Sequence, residues 1–112
     1  MATKVFILLS SGDKEVALEA GFVYSLNAAK KEWMDEVKLI LFGPSERIAA
    51  YDMEVQRGLK ELQEAGVGVM ACKWCADRMK ITGILEEIGI KVVPVGPIIS
   101  QLLKDGWASL TF

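Results

Sequence analysis

The 112-residue chain contains no histidine. That absence removes Ser-His-Asp and Cys-His catalysis from the chain's own repertoire, because both use an imidazole to carry the proton. It also removes zinc sites with histidine ligands. Cysteine is nearly absent too, with two residues. Two sulfurs alone cannot close a four-coordinate structural zinc site, so a metal would need carboxylates or a symmetry mate, and none is expected. The formal net charge is −2 and no cluster of Lys and Arg exists. Nucleic acid is therefore not expected as a partner, since phosphate binding needs a concentrated basic face. No apolar run approaches the ~20 residues of a membrane span, and no membrane contact is expected. The apolar part of the N-terminus, Val5 to Leu9, is too short for a secretory core and reads as a strand. The expected compartment is the cytoplasm, where thiols stay reduced unless they do chemistry.

Phosphate-binding loops are missing as well. The turn Ser10-Ser11-Gly12-Asp13 has one glycine and matches neither the dinucleotide fingerprint nor the P-loop. It reads as a helix-capping turn, and no cofactor is expected. Carboxylates are plentiful, Glu46 among them, but nearly all are assigned to solvated helix faces, and no pair stands out for acid–base work.

What is present is a regular alternation. Val5 to Leu9 is an unbroken apolar run, which suits a strand buried on both faces, and Val37 to Phe42, apolar except for Lys38, reads as a second buried strand. Val67 to Ala71, Ile90 to Val95 and Trp107 to Phe112 supply three more strands, with Pro94 marking an end or an irregular edge. Helical patterns fill the gaps: Lys14 to Met34, two pieces over Ser45–Asp52 and Glu54–Ala65, then Ala76–Met79, Gly83–Ile88 and Pro97–Lys104. In the first, Val16, Ala20, Val23, Asn27 and the pair Trp33-Met34 form the expected buried stripe, and Gly21 permits close packing on the sheet. The order βαβαβαβαβ predicts one domain over residues 1–112. It is Rossmann-like, with three α/β/α layers around a mainly parallel five-stranded sheet. The apolar fraction is 52%, enough for a sizeable core with some surface covered by another subunit.

The specific local signal is Cys72-Lys73-Trp74-Cys75. Three readings compete. Free cysteines can be small buried hydrophobes. A C-x-x-C pair can be a thioredoxin-like dithiol. Or Cys72 is a nucleophilic thiolate that carries sulfur as a persulfide, with Cys75 auxiliary. A thioredoxin dithiol follows an early strand and is partnered by a later cis-proline loop; here the pair follows the third strand and the only later prolines are Pro94 and Pro97, which weakens that reading. Placement at a strand's carboxyl end, where open parallel sheets bind ligands, weakens the inert one. Lys73 and a following helix N-terminus would favour the thiolate. Ser11, Gly43 and Pro44, also at strand exits, are expected to line the approach. Trp74 either shields the sulfur, offers a docking surface or packs in the core.

Ala71-Cys72 followed by Cys75-Ala76, Phe42-Gly43-Pro44, Lys91 to Gly96, and Asp105-Gly106-Trp107-Ala108 within Leu102–Leu110 together resemble the DsrE/DsrF-like (YchN-like or TusD-like) sulfur-relay family. The resemblance covers nearly the whole chain. It implies a homo-oligomer, commonly a trimer or hexamer. It also implies sulfur donor and acceptor proteins as partners, and a sulfur-accepting cysteine at Cys72. Members act in tRNA thiolation relays or in dissimilatory sulfur oxidation, so the resemblance implies a sulfur carrier or sulfurtransferase-like protein rather than a pathway. The alternatives are an oligomeric ligand- or protein-binding module with structural cysteines, and a dithiol redox protein.

Overall fold

A computed structural model describes residues 2–112. Five strands form one sheet: β1 (Lys4–Leu9), β2 (Glu36–Leu41), β3 (Gly68–Cys72), β4 (Lys91–Val93) and β5 (Ala108–Thr111). The strand order is β4-β3-β2-β1-β5, and every pairing is parallel. The helices between them are α1 (Lys14–Val16), a π-helical turn (Ala17–Gly21), α2 (Phe22–Lys30), α3 (Pro44–Tyr51), α4 (Met53–Glu64), α5 (Lys73–Met79), α6 (Thr82–Glu87) and α7 (Val95–Lys104). This is the expected three-layer α/β fold, with helices on both faces of the sheet.

The two faces are covered unequally. Alternate residues of the central strands, Val5, Ile7 and Leu9, Val37, Leu39 and Leu41, Val69 and Ala71, pack with Leu59 and Leu62 of α4 and Leu85 of α6. The intervening positions Phe6, Ile40, Met70 and Cys72 meet Val95 and Leu102 of α7. Apolar residues at both parities explain why Val5–Leu9 reads as an unbroken run and not as an alternation.

Small residues decide how the first helix sits. Its buried positions are Ala17, Gly21, Phe22, Ser25 and Ala28, whereas Val23 is 47% and Trp33 54% exposed. The expected stripe through Val16, Ala20 and Val23 is therefore displaced by about one residue. Close approach to β1 outweighs side-chain bulk: a Cβ added at Gly21 would lie 3.2 Å from a Leu9 methyl carbon. The Ser25 hydroxyl returns its hydrogen bond to the Gly21 carbonyl (2.7 Å), so the buried polar atom is satisfied within the helix. The helix ends at Lys30, short of Met34, and Glu32 follows with φ 55°.

Strand ends differ from expectation by a residue or two. The strand before Pro94 stops at Val93, because proline cannot donate to a ladder, and α7 begins directly after it. The last strand contracts to Ala108–Thr111 and forms an edge whose four residues are all exposed. No helix among the described residues is long and apolar enough to cross a membrane.

Candidate functional site

The site is built at the carboxyl ends of β1, β2 and β3. Leu9 lies level with Leu41, and Leu41 with Ala71, so the residues that follow stand side by side at the end of the sheet. Ser45, buried at the start of α3, ties two of these exits together. Its N–H donates to the Ser10 carbonyl (3.2 Å), and its hydroxyl donates to the Leu9 carbonyl. The same oxygen accepts from the Phe42 N–H (3.2 Å). Gly43 makes the turn into α3 at φ 75°, ψ −125°, a conformation essentially reserved for glycine. Pro44 then opens the helix, where its missing N–H costs nothing.

That turn delivers Glu46 into the protein. Its side chain has no exposed surface. One carboxylate oxygen, Oε2, accepts the Gly43 N–H at 3.0 Å, and the other, Oε1, has no hydrogen-bond partner. Burial pushes its pKa up to about 7, against the lowering effect of the Gly43 N–H and, less, the Cys75 thiol. This corrects the assignment of Glu46 to a solvated face. The legible signal was local: glycine three residues before glutamate is the spacing by which a side chain at the third helical position reaches back to the N-cap N–H.

Cys72 ends β3 and caps α5, with its Sγ accepting the Cys75 N–H at 3.4 Å. The helix thus starts at Lys73, three residues earlier than expected. The thiols of Cys72 and Cys75 are free and nearly buried, 5% and 7% exposed. Their sulfurs and a Glu46 carboxylate oxygen all lie within 4.8 Å of one another. Cys75 is pushed up to about 12 by burial first, then by Cys72 and Glu46 beside it.

A cleft of about 550 Å³ adjoins this cluster, and Cys75 is the cysteine in its wall. Gly43, Pro44 and Trp74 line it as well, together with Ser10, Phe42, Arg47, Arg78 and Met79. Trp74 is 66% exposed, so it is a rim residue and not a core one, and the Arg78 guanidinium sits 4.5 Å from its ring centroid. Ser11 is not in the wall; its hydroxyl accepts the Asp13 N–H (3.0 Å) in the capping turn. Lys73 is not there either, and pairs with Asp77 at 3.3 Å. The cationic groups in the cleft are Arg47 and Arg78. Ser10, Glu46 and Arg47 were not singled out by the sequence, because their roles come from strand register and helix phase.

Glu46 makes a prediction about stability. The carboxyl is protonated in both states below its unfolded pKa of 4.5. As pH rises towards about 7 the unfolded chain ionises first, and stability falls. Above that the loss is constant, at most about 3 kcal/mol. Glu46→Gln should therefore be more stable than wild type at pH 8 and close to it at pH 4.5. Urea unfolding with a chelator present reads this directly; a variant less stable at pH 8 would show that the ionised carboxylate has a stabilising partner.

Comparison with known proteins places this geometry. No curated protein matches the chain. Among solved structures, the conserved protein of unknown function BT1422 from Bacteroides thetaiotaomicron superposes with a TM-score of 0.92 at 28% identity, covering 97% of this chain and 94% of that one. The YchN protein from E. coli gives 0.78 at 19% identity over 98% and 99% of the two chains. MTH1491 from Methanobacterium thermoautotrophicum, also of unknown function, gives 0.78 at 21% over the same shares. The last two show the fold alone. Residues 3–112 match the model of the DsrE/DsrF-like family, and the chain belongs to that family.

Proposed function

We propose that this protein is a sulfur carrier that accepts sulfane sulfur on Cys72 as a persulfide and hands it to a partner thiol. The observation that carries the reading is Cys72 itself. In a DsrE/DsrF-like chain it stands at the carboxyl end of a central parallel strand, and its sulfur receives the Cys75 N–H. A backbone N–H aimed at sulfur stabilises negative charge there. The cleft beside it gives a donor a place to lie.

The chemistry needs no imidazole and no external oxidant. Cys72 thiolate attacks the terminal sulfur of a donor persulfide, R–S–SH. The donor S–S bond breaks, R–S⁻ leaves, and Cys72–S–SH remains. An acceptor thiolate then attacks the terminal sulfur and releases Cys72 thiolate. Sulfane sulfur moves without net change of oxidation state. Cys75 is the auxiliary thiol. Its attack on the inner sulfur of the persulfide would give a Cys72–Cys75 disulfide and release hydrosulfide, and the short sulfur separation supports that side path. Reduced, free cysteines fit a cytoplasmic setting.

The near-complete burial of both sulfurs favours a second reading, a binding module with structural cysteines. Intact-protein mass spectrometry separates the two. Reduced wild type and Cys75→Ser should gain sulfur from a sulfane donor, and Cys72→Ser should gain none. Uptake that survives Cys72→Ser, or no uptake in any form with both thiols slow to alkylate, would remove the carrier reading.

We also propose assembly into a homo-oligomer, a trimer or hexamer. Support comes from β5, an edge strand exposed along its length with Leu110 41% exposed, and from Leu103 of α7, 54% exposed. An unprotected edge of this kind is a pairing or packing surface. Sedimentation at micromolar concentration should show a closed oligomer that Leu110→Lys weakens; a monomer would contradict it.

A further inference from the structure

From the cluster formed by Glu46, Cys72 and Cys75 we infer a binding site for a single zinc ion, with two sulfurs and one carboxylate oxygen as protein ligands and a fourth position open to the cleft. The sulfur-carrier reading is not needed for this inference.

The first argument is the carboxylate. Glu46 is fully buried, Oε2 is held by the Gly43 N–H, and Oε1 has no partner. A buried polar oxygen without a partner is rare and costly. This carboxylate also lies beside both sulfurs, with the three ligand atoms within 4.8 Å of one another. Zinc takes thiolate at about 2.3 Å and carboxylate at about 2.0–2.2 Å, so tetrahedral ligands stand roughly 3.4–3.8 Å apart. The cluster therefore needs to contract by about 1.4 Å at most, within the reach of side-chain rotation at Cys75 and Glu46.

The second argument is the surroundings. Metal ligands are held by outer hydrogen bonds. Here the Cys75 N–H already holds the Cys72 sulfur and the Gly43 N–H already holds the Glu46 carboxylate, on the oxygen not needed for the ion. Two thiolates, one carboxylate and Zn²⁺ sum to a charge of −1. Arg47 and Arg78 line the adjoining cleft and offset it. On binding, the thiol protons, and the carboxyl proton where present, pass to solvent. Cys75 in the cleft wall gives the ion a way in and leaves its fourth position to water or an incoming ligand.

The third argument is selectivity. Calcium and magnesium need six or more oxygens, which this cluster does not offer. Cuprous ion is satisfied by soft sulfur ligands and has no use for the carboxylate. Glu46 therefore discriminates between the two thiophilic choices.

The test is a titration of the reduced, metal-depleted full chain with Zn²⁺ against a chromophoric chelator, with zinc per chain counted after dialysis. One equivalent is expected. Cys72→Ser, Cys75→Ser and Glu46→Gln should each weaken binding by more than the 10–100-fold typical of losing an outer-shell partner. Glu46→Gln keeps an acceptor for the Gly43 N–H, and circular dichroism verifies its fold. Cadmium X-ray absorption on the wild-type chain reads the ligand set independently of any variant. Two sulfurs with light atoms are expected. Absence of saturable zinc binding, binding unchanged in Glu46→Gln, binding of cuprous ion alone, or four sulfurs around cadmium would each overturn the site. These outcomes leave sulfur uptake untouched, since uptake is measured without metal.

Discussion

The parallel register of β1, β2 and β3 is the constraint on which the rest depends. Because Leu9, Leu41 and Ala71 lie level, their successors Ser10, Phe42 and Cys72 stand as neighbours at the end of the sheet. Ser45 can then bond to both the β1 and β2 exits, and this fixes the phase of α3. With the phase fixed, the third helical residue, Glu46, points inward to the cysteines and Arg47 reaches the cleft. A slip of one residue in any of these strands would exchange its faces and dismantle the cluster.

The cluster concentrates reactivity where a small protein has little room for it. Two thiols and a carboxylate share one buried spot, where burial, Cys72 and Glu46 together raise the cost of ionising Cys75. An incoming atom can relieve that crowding. On the sulfur-carrier reading a sulfane sulfur does so by lengthening the Cys72 side chain. A thiophilic cation does so by binding all three groups and offsetting most of their charge. Both routes use Cys72 Sγ, so on the sulfur-carrier reading an occupied metal site and a loaded persulfide exclude each other.

Much of the fold was legible in the sequence, for physical reasons. Doubly covered strands call for apolar residues on both faces, and the run Val5–Leu9, like Leu39–Leu41 after Lys38, carries that mark directly. Cys72 could be placed at a strand's end because Val67 to Ala71 stops there. The first helix was misread because hydrophobic periodicity weighs bulk, whereas Ala17, Gly21, Ser25 and Ala28 were buried for their smallness. Glu46 escaped because a charge in a sequence carries no record of burial; only the Gly43 turn, set by neighbouring strands, turns it inward. Lys73, nearest in sequence to Cys72, spends its charge on Asp77, while Arg47, distant in sequence, reaches the cleft.

The most direct test of the central claim is to locate the sulfur. Lys73 lies between the two cysteines, so trypsin separates them into Glu61–Lys73, holding Cys72, and Trp74–Arg78, holding Cys75. Wild-type protein loaded with a sulfane donor, alkylated to trap persulfides and then digested, should carry the extra sulfur on Glu61–Lys73. Extra sulfur confined to Trp74–Arg78, or found on neither peptide, would contradict the assignment of Cys72 as the sulfur-accepting residue.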